Sequence, residues 1–180
     1  MGQRVITATR LKDDGALAVE LDGDAWLAVD PLTASRLGLV VGATPDPATI
    51  AEAEAEAARG DALRHGARLT ARRSHARGEL ERKLARSAGH DAARAAADRL
   101  TEIGALDDPR HARDLAEHRL AAGWGPARIA HDLAAAGIAD ELIATTLAAL
   151  EPADLEAAAR TALGERSGVR RRRSFPRLRF

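Results

Sequence analysis

A pattern of three helices recurs in this chain at a period of roughly 48 residues, and no other feature restricts the fold so strongly. Leu80 and Leu84 recur as Ile129 and Leu133, Gly89 as Gly137, and Ala96, Leu100 and Ile103 as Ile143, Leu147 and Leu150. One three-helix unit of this length buries little apolar area, so neighbouring units must stack. The pattern therefore predicts a mainly α fold of tandem three-helix repeats in an elongated, curved array. Turn and cap signals place the helices. Asp61 to about Arg73, a Ser74-capped helix ending near Gly89, and Asp91 to Gly104 make the first repeat. A helix capped by Asp107 or Asp108, one from Pro126 to Gly137, and one from Asp140 to Leu150 make the second.

The amino-terminal part follows a different period. Val5, Thr7, Thr9 and Leu11 alternate with their neighbours, as do Leu17, Val19 and Leu21, with turn residues at Asp13-Asp14-Gly15 and Asp22-Gly23-Asp24. A third short strand spans Ala25 to Val29, and a short helix Leu32 to Leu37. Pro45 and Pro47 mark a boundary, and the alanine–glutamate run after them reads as a solvated helix or linker. The expected organisation is a small β-rich unit over 1–46, a helical linker over 47–59, and repeats over 60–104 and 105–151. A truncated third repeat with a basic tail fills 152–180. Proteolysis between about Pro47 and Arg59 is expected to free the strand unit.

Alanine dominates the 46% of apolar residues and aromatics make up only 2%, so the helices must pack closely on small side chains. Cysteine is absent, which excludes disulfides, thiolate metal sites and cysteine nucleophiles. The start of the chain lacks the apolar run of a signal peptide and no stretch has the length of a membrane span, so a cytoplasmic protein is expected. Histidines could gather metal where Asp107, Asp108 and His111 share a helical turn, with His118 two turns on. Acidic capping residues beside surface histidines explain the same spacing, and no second ligand set exists. No phosphate loop and no serine elbow is present, so no catalytic, cofactor or metal residue is assigned.

The net charge of zero conceals four alternating blocks. Residues 59–90 carry 9 basic and 3 acidic side chains, and residues 153–180 carry 8 and 3. The first basic block offers Arg68, Arg72, Arg73, Arg77, Arg82, Lys83 and Arg86 as candidates for contact with phosphate or an acidic protein. Arg68 and Arg72, and Arg82 and Arg86, stand four apart, so each pair is expected to share a helix face. The second block offers Arg170, Arg171, Arg172 and Arg173, a run suited to a polyanion-binding arm. Trp124, between Gly123 and Gly125, is expected to plug a joint between helices.

Three elements carry a resemblance to a known family. They are Ala71-Arg72-Arg73-Ser74 with Glu79-Leu80-Glu81-Arg82-Lys83-Leu84; Leu100, Gly104, Leu106-Asp107-Asp108 and Ala112; and Gly123-Trp124-Gly125-Pro126, Arg128-Ile129 and Leu133 with Gly137-Ile138. Over residues 60–150 the chain resembles the RecX family. Leu21-Asp22-Gly23 and Leu37-Gly38-Leu39 with Val41-Gly42 are also similar. The resemblance implies tandem three-helix repeats that bind within the groove of the RecA filament, inhibit its ATPase, strand exchange and co-protease activities, and in some members bind DNA. It adds Arg128 to the candidate residues. The implied partners are the RecA filament and single- or double-stranded DNA through its phosphates, with no cofactor, no membrane, a monomeric state and no enzymatic activity. His111 stands where the family usually has Phe, which predicts a more polar second repeat. A second class of function fits the basic helices: a DNA-binding helical module acting as a transcription regulator. Against it, the second helix offers no base-reading Asn or Gln.

Overall fold

The structure, a computed structural model, describes residues 4–171, with side chains described through residue 163. Three antiparallel strands, β1 (Ile6–Leu11), β2 (Leu17–Leu21) and β3 (Asp24–Val29), form a sheet in the order β1-β2-β3. Asp22 and Gly23 both adopt positive φ, 56° and 90°, in the tight turn that a right-twisted hairpin requires. The expected alternation of β2 holds, with Val19 and Leu21 buried. That of β1 does not: Ile6 is buried and Leu11 is 63% exposed. The pairing shifts between Ile6 and Ala8, and such a shift moves the following side chains to the other face. Ile6 is held at the sheet edge by backbone bonds with Gly42 and Ala43.

Helices follow: α1 (Pro31–Arg36), α2 (Pro47–Thr70), α3 (Arg77–Ala88), α4 (His90–Glu102), α5 (Asp108–Ala121), α6 (Pro126–Ala136), α7 (Asp140–Ala148) and α8 (Pro152–Arg171). The expected linker and the first repeat helix are one 24-residue helix, α2. Asp46 caps it, accepting from Thr49 N–H at 2.7 Å, and Pro47 sits in the first turn, where its missing N–H costs nothing. Gly60 does not break it, and Asp61, expected to open a new helix, instead pairs with Arg64 at 2.6 Å.

The reason lies in which side chains α2 buries. Ala53 and Ala57 pack with Ile6, Val19, Leu21 and Val29 of the sheet. Ala62 and Gly66 are also buried, but nine residues separate Ala53 from Ala62, half a revolution at 100° per residue. At Gly66 an added Cβ would stand 2.7 Å from Leu100 Cδ1 and 3.3 Å from Leu84 Cδ1. One helix thus presents one face to the sheet and the opposite face to α3 and α4. The run over residues 50–60 is therefore a packed half-helix, and the sheet does not pack lightly on its neighbours.

Residues Met1–Arg73 with Leu80–Ala105 form one compact unit, and Ser74–Glu79 with Leu106–Phe180 a second. The second is built on α5, α6, α7 and α8. Its core holds Ala76, Ala112, Ala116, Leu120, Ile129, Leu133, Ile138, Ile143 and Ala158. Gly137, in the left-handed conformation at φ 90°, ends α6 where the sequence predicts a stop.

Candidate functional site

In the first unit α2 ends at Thr70, not near Arg73. Ala71 closes it with its N–H on Ala67 O and Leu69 O, and Arg72 N–H also turns back to Leu69 O at 3.1 Å. Arg72 therefore leaves the helix and shares no helix face with Arg68. Arg68, Arg72, Arg73, Arg82 and Arg86 are exposed, and Lys83 is half-buried. Arg82 and Arg86 remain one turn apart on α3, on the face opposite to the buried Leu80 and Leu84. Arg73, Arg82 and Lys83 take part in interactions within the chain, so the excess of positive charge is not wholly unpaired. The guanidinium groups of this unit offer phosphate-sized anions a fork of donors.

In the second unit, the residues read as a possible metal cluster have structural partners. Asp107 Oδ1 accepts from Arg110 N–H at 2.9 Å and caps its own helix. Asp108 Oδ1 accepts from Arg77 N–H at 2.8 Å, so a side chain of α5 caps α3. Ser74, expected to cap this helix, lies 2.7 Å from His111 Nδ1. His111, expected to make the second repeat more polar, is half-buried and makes this polar contact. His75 is buried, with Nδ1 3.1 Å from Glu79 Oε2. Among the described residues, no group of three His, Cys, Asp or Glu side chains is placed to hold a metal ion. Arg77 is half-buried here and falls in a different unit from the other arginines of its block.

Trp124 packs against the core of the second unit, as expected of a joint residue. Sequence reasoning missed its partners. Arg119 lies over its ring at 4.5 Å and Arg128 at 4.9 Å. Asp132 holds both arginines, at 2.6 Å from Arg119 Nε and 3.6 Å from Arg128 Nε. The spacing Arg128–Asp132 was the available signal, being an i,i+4 pair on one helix. Arg128 keeps a 61% exposed side chain in an aromatic and acidic setting that fixes its direction. The run Arg170–Arg173 contributes helical backbone at Arg170 and Arg171 only; its side chains, and all of Arg172 and Arg173, lie outside the described residues.

A three-stranded sheet followed by three-helix units with exposed arginines defines a helical-repeat protein. Residues 107–147 match the family model "RecX, second three-helix domain", which falls inside the expected second repeat. A regulatory protein RecX of Xanthomonas axonopodis pv. citri is 46% identical over 84 residues, covering 46% of this chain and 52% of that protein. Its counterpart in Halorhodospira halophila is 44% identical over 95 residues, covering 52% and 56%. A crystal structure of regulatory protein RecX superposes with a TM-score of 0.70 at 19% identity, covering 97% of this chain and 86% of the other. That of RecX from Lactobacillus salivarius gives 0.56 at 16% identity, covering 66% and 78%. Over these matched parts the chain is similar to RecX proteins, and its fold is that of the RecX crystal structures. Its matched part spans about half the length of these sequence relatives. Among the described residues, no helix is long and apolar enough to cross a membrane.

Proposed function

We propose that this protein is a non-enzymatic regulator that binds the RecA–DNA filament in the cytoplasm, as a monomer, and lowers its ATPase, strand-exchange and co-protease activities. The repeats over 60–104 and 105–151 are the binding modules in this reading. The observation that carries it is the resemblance to the RecX family over residues 60–150, a stretch whose exposed side chains include Arg72, Arg73, Arg82 and Arg86. Exposed arginines suit phosphate and carboxylate alike, and Arg-rich faces contact DNA mainly through its backbone, so binding is expected to be sequence-tolerant. Arg68, Arg77, Lys83 and Arg128 contribute to the same binding, and Arg170–Arg173 extend it as a polyanion-binding arm. No observation favours the transcription-regulator reading.

Charge reversal at Arg72, Arg73 and Arg82 tests the surface. Exposed charges stabilise little, so the melting temperature stays within a few degrees of wild type. Co-sedimentation with RecA filaments at low salt falls at least several-fold, mainly through slower association. Equal co-sedimentation of the folded triple variant would remove these residues from the interface.

A further inference from the structure

We infer that the carboxyl-terminal segment Ser174–Phe180 of this chain docks into an apolar, acid-rimmed groove between α5, α7 and α8. This contact lies outside the filament reading and stands whether or not that reading holds. A cleft of about 390 Å³ has a floor of Ala116, Leu120, Leu142 and Leu150. A second hollow of about 270 Å³ shares Leu120 with it and continues along α8 as far as Thr161. Glu117, Glu151 and Asp154 stand on the rim, against Arg113 alone of opposite sign in the lining. An occupant must therefore be apolar on one side and basic on the other.

The chain carries one segment of that chemistry. Its two phenylalanines, Phe175 and Phe180, both fall within the last six residues, with Leu178 between them and Arg177 and Arg179 interleaved. Its length also fits. From Arg171 back to Thr161 along α8 is ~15 Å, and back to Asp154 ~26 Å, at 1.5 Å per residue. A returning extended chain spans ~13 Å from Arg171 to Phe175 and at most ~30 Å to Phe180. Phe175 then comes level with Thr161, and Phe180 level with the larger cleft. A second copy's tail has the same composition, but a tethered segment acts at an effective concentration in the millimolar range, which favours the chain's own. Docking draws Arg177 and Arg179 onto the acidic rim, so a polyanion must compete for them.

The absence of cysteine gives a clean test. Nitroxide labels are placed on full-length protein carrying Ala144→Cys, on an exposed position of α7 outside the groove lining, and Pro176→Cys. Electron–electron resonance is expected to show a narrow distance below the ~26 Å from Asp154 to the end of α8. Adding Phe175→Ser with Phe180→Ser, or separately Glu117→Lys with Glu151→Lys, is expected to broaden and lengthen it while the helical melt is unchanged. A broad distribution beyond that length, the same with and without the phenylalanines, would overturn the inference. A short distance that disappears on dilution with excess unlabelled protein would place the tail in a second copy and also overturn it.

Discussion

The two repeats solve one packing problem with different side chains. In the first, α2 meets α3 and α4 at Gly66, and α4 contributes four buried alanines, Ala92, Ala93, Ala96 and Ala97, beside Leu100. In the second, α5 brings Ala112 and Ala116 to the corresponding place, and Ile129, Leu133, Ile138 and Ile143 fill the space around them. Close approach of backbones replaces side-chain volume in the first repeat, and branched side chains supply it in the second. The difference follows from α2. A helix that must also bury Ala53 and Ala57 against the sheet has small residues on both faces, so its neighbours come close.

The largest effect is expected where backbone meets backbone. A Cβ at Gly78 would stand 2.6 Å from Gly137 O and 3.2 Å from its Cα, neither of which can swing away. Gly78→Ala is expected to cost about 3 kcal/mol in urea unfolding, at the upper end of overpacking. Gly66→Ala should cost less, since its new methyl meets the tips of Leu100 and Leu84. The gain in helix propensity, about 1 kcal/mol, offsets part of about 2 kcal/mol of overpacking. A net loss of ~1 kcal/mol is expected; a gain would mean that close approach does not limit the first repeat. The smallest effect concerns acid. Asp30 is held below its ordinary carboxyl range by the hydroxyl and N–H of Thr33, and Asp46 by the N–H and hydroxyl of Thr49. A depressed carboxyl stabilises fully above its unfolded value, near 3.8, and loses that contribution as pH falls through the lower folded value. Melting temperature should therefore drop below about pH 4, and Asp46→Asn should reduce the dependence.

How far these features could be read in advance depends on whether they are local. The ends of α6 were legible because Pro126 and Gly137 act on their own backbone, and Leu80, Leu84, Ile129 and Leu133 because a single buried face repeats at helical spacing. The length of α2 was not, since a helix that changes its buried face halfway shows no steady period. Nor was the start of α3, whose cap comes from Asp108, 31 residues on in the chain. For the candidate surface, charge blocks pointed to exposed arginines, and Arg68, Arg82 and Arg86 are exposed. They could not show that Arg72 leaves the helix, or that Arg77 is half-buried in the other unit. The stack of Arg119 and Arg128 on Trp124 joins two helices, which no spacing within one helix reveals.

The function proposed for this chain is regulation of a recombinase filament through exposed arginines on the first repeat. It is tested most directly by the DNA-dependent ATPase of a cognate RecA, titrated with this protein and with the Arg72, Arg73 and Arg82 charge-reversal variant. The wild-type chain is expected to lower the rate progressively toward saturation, and the folded variant to need a several-fold higher concentration for the same effect. An unchanged rate at several-fold molar excess of the wild-type chain would contradict the account.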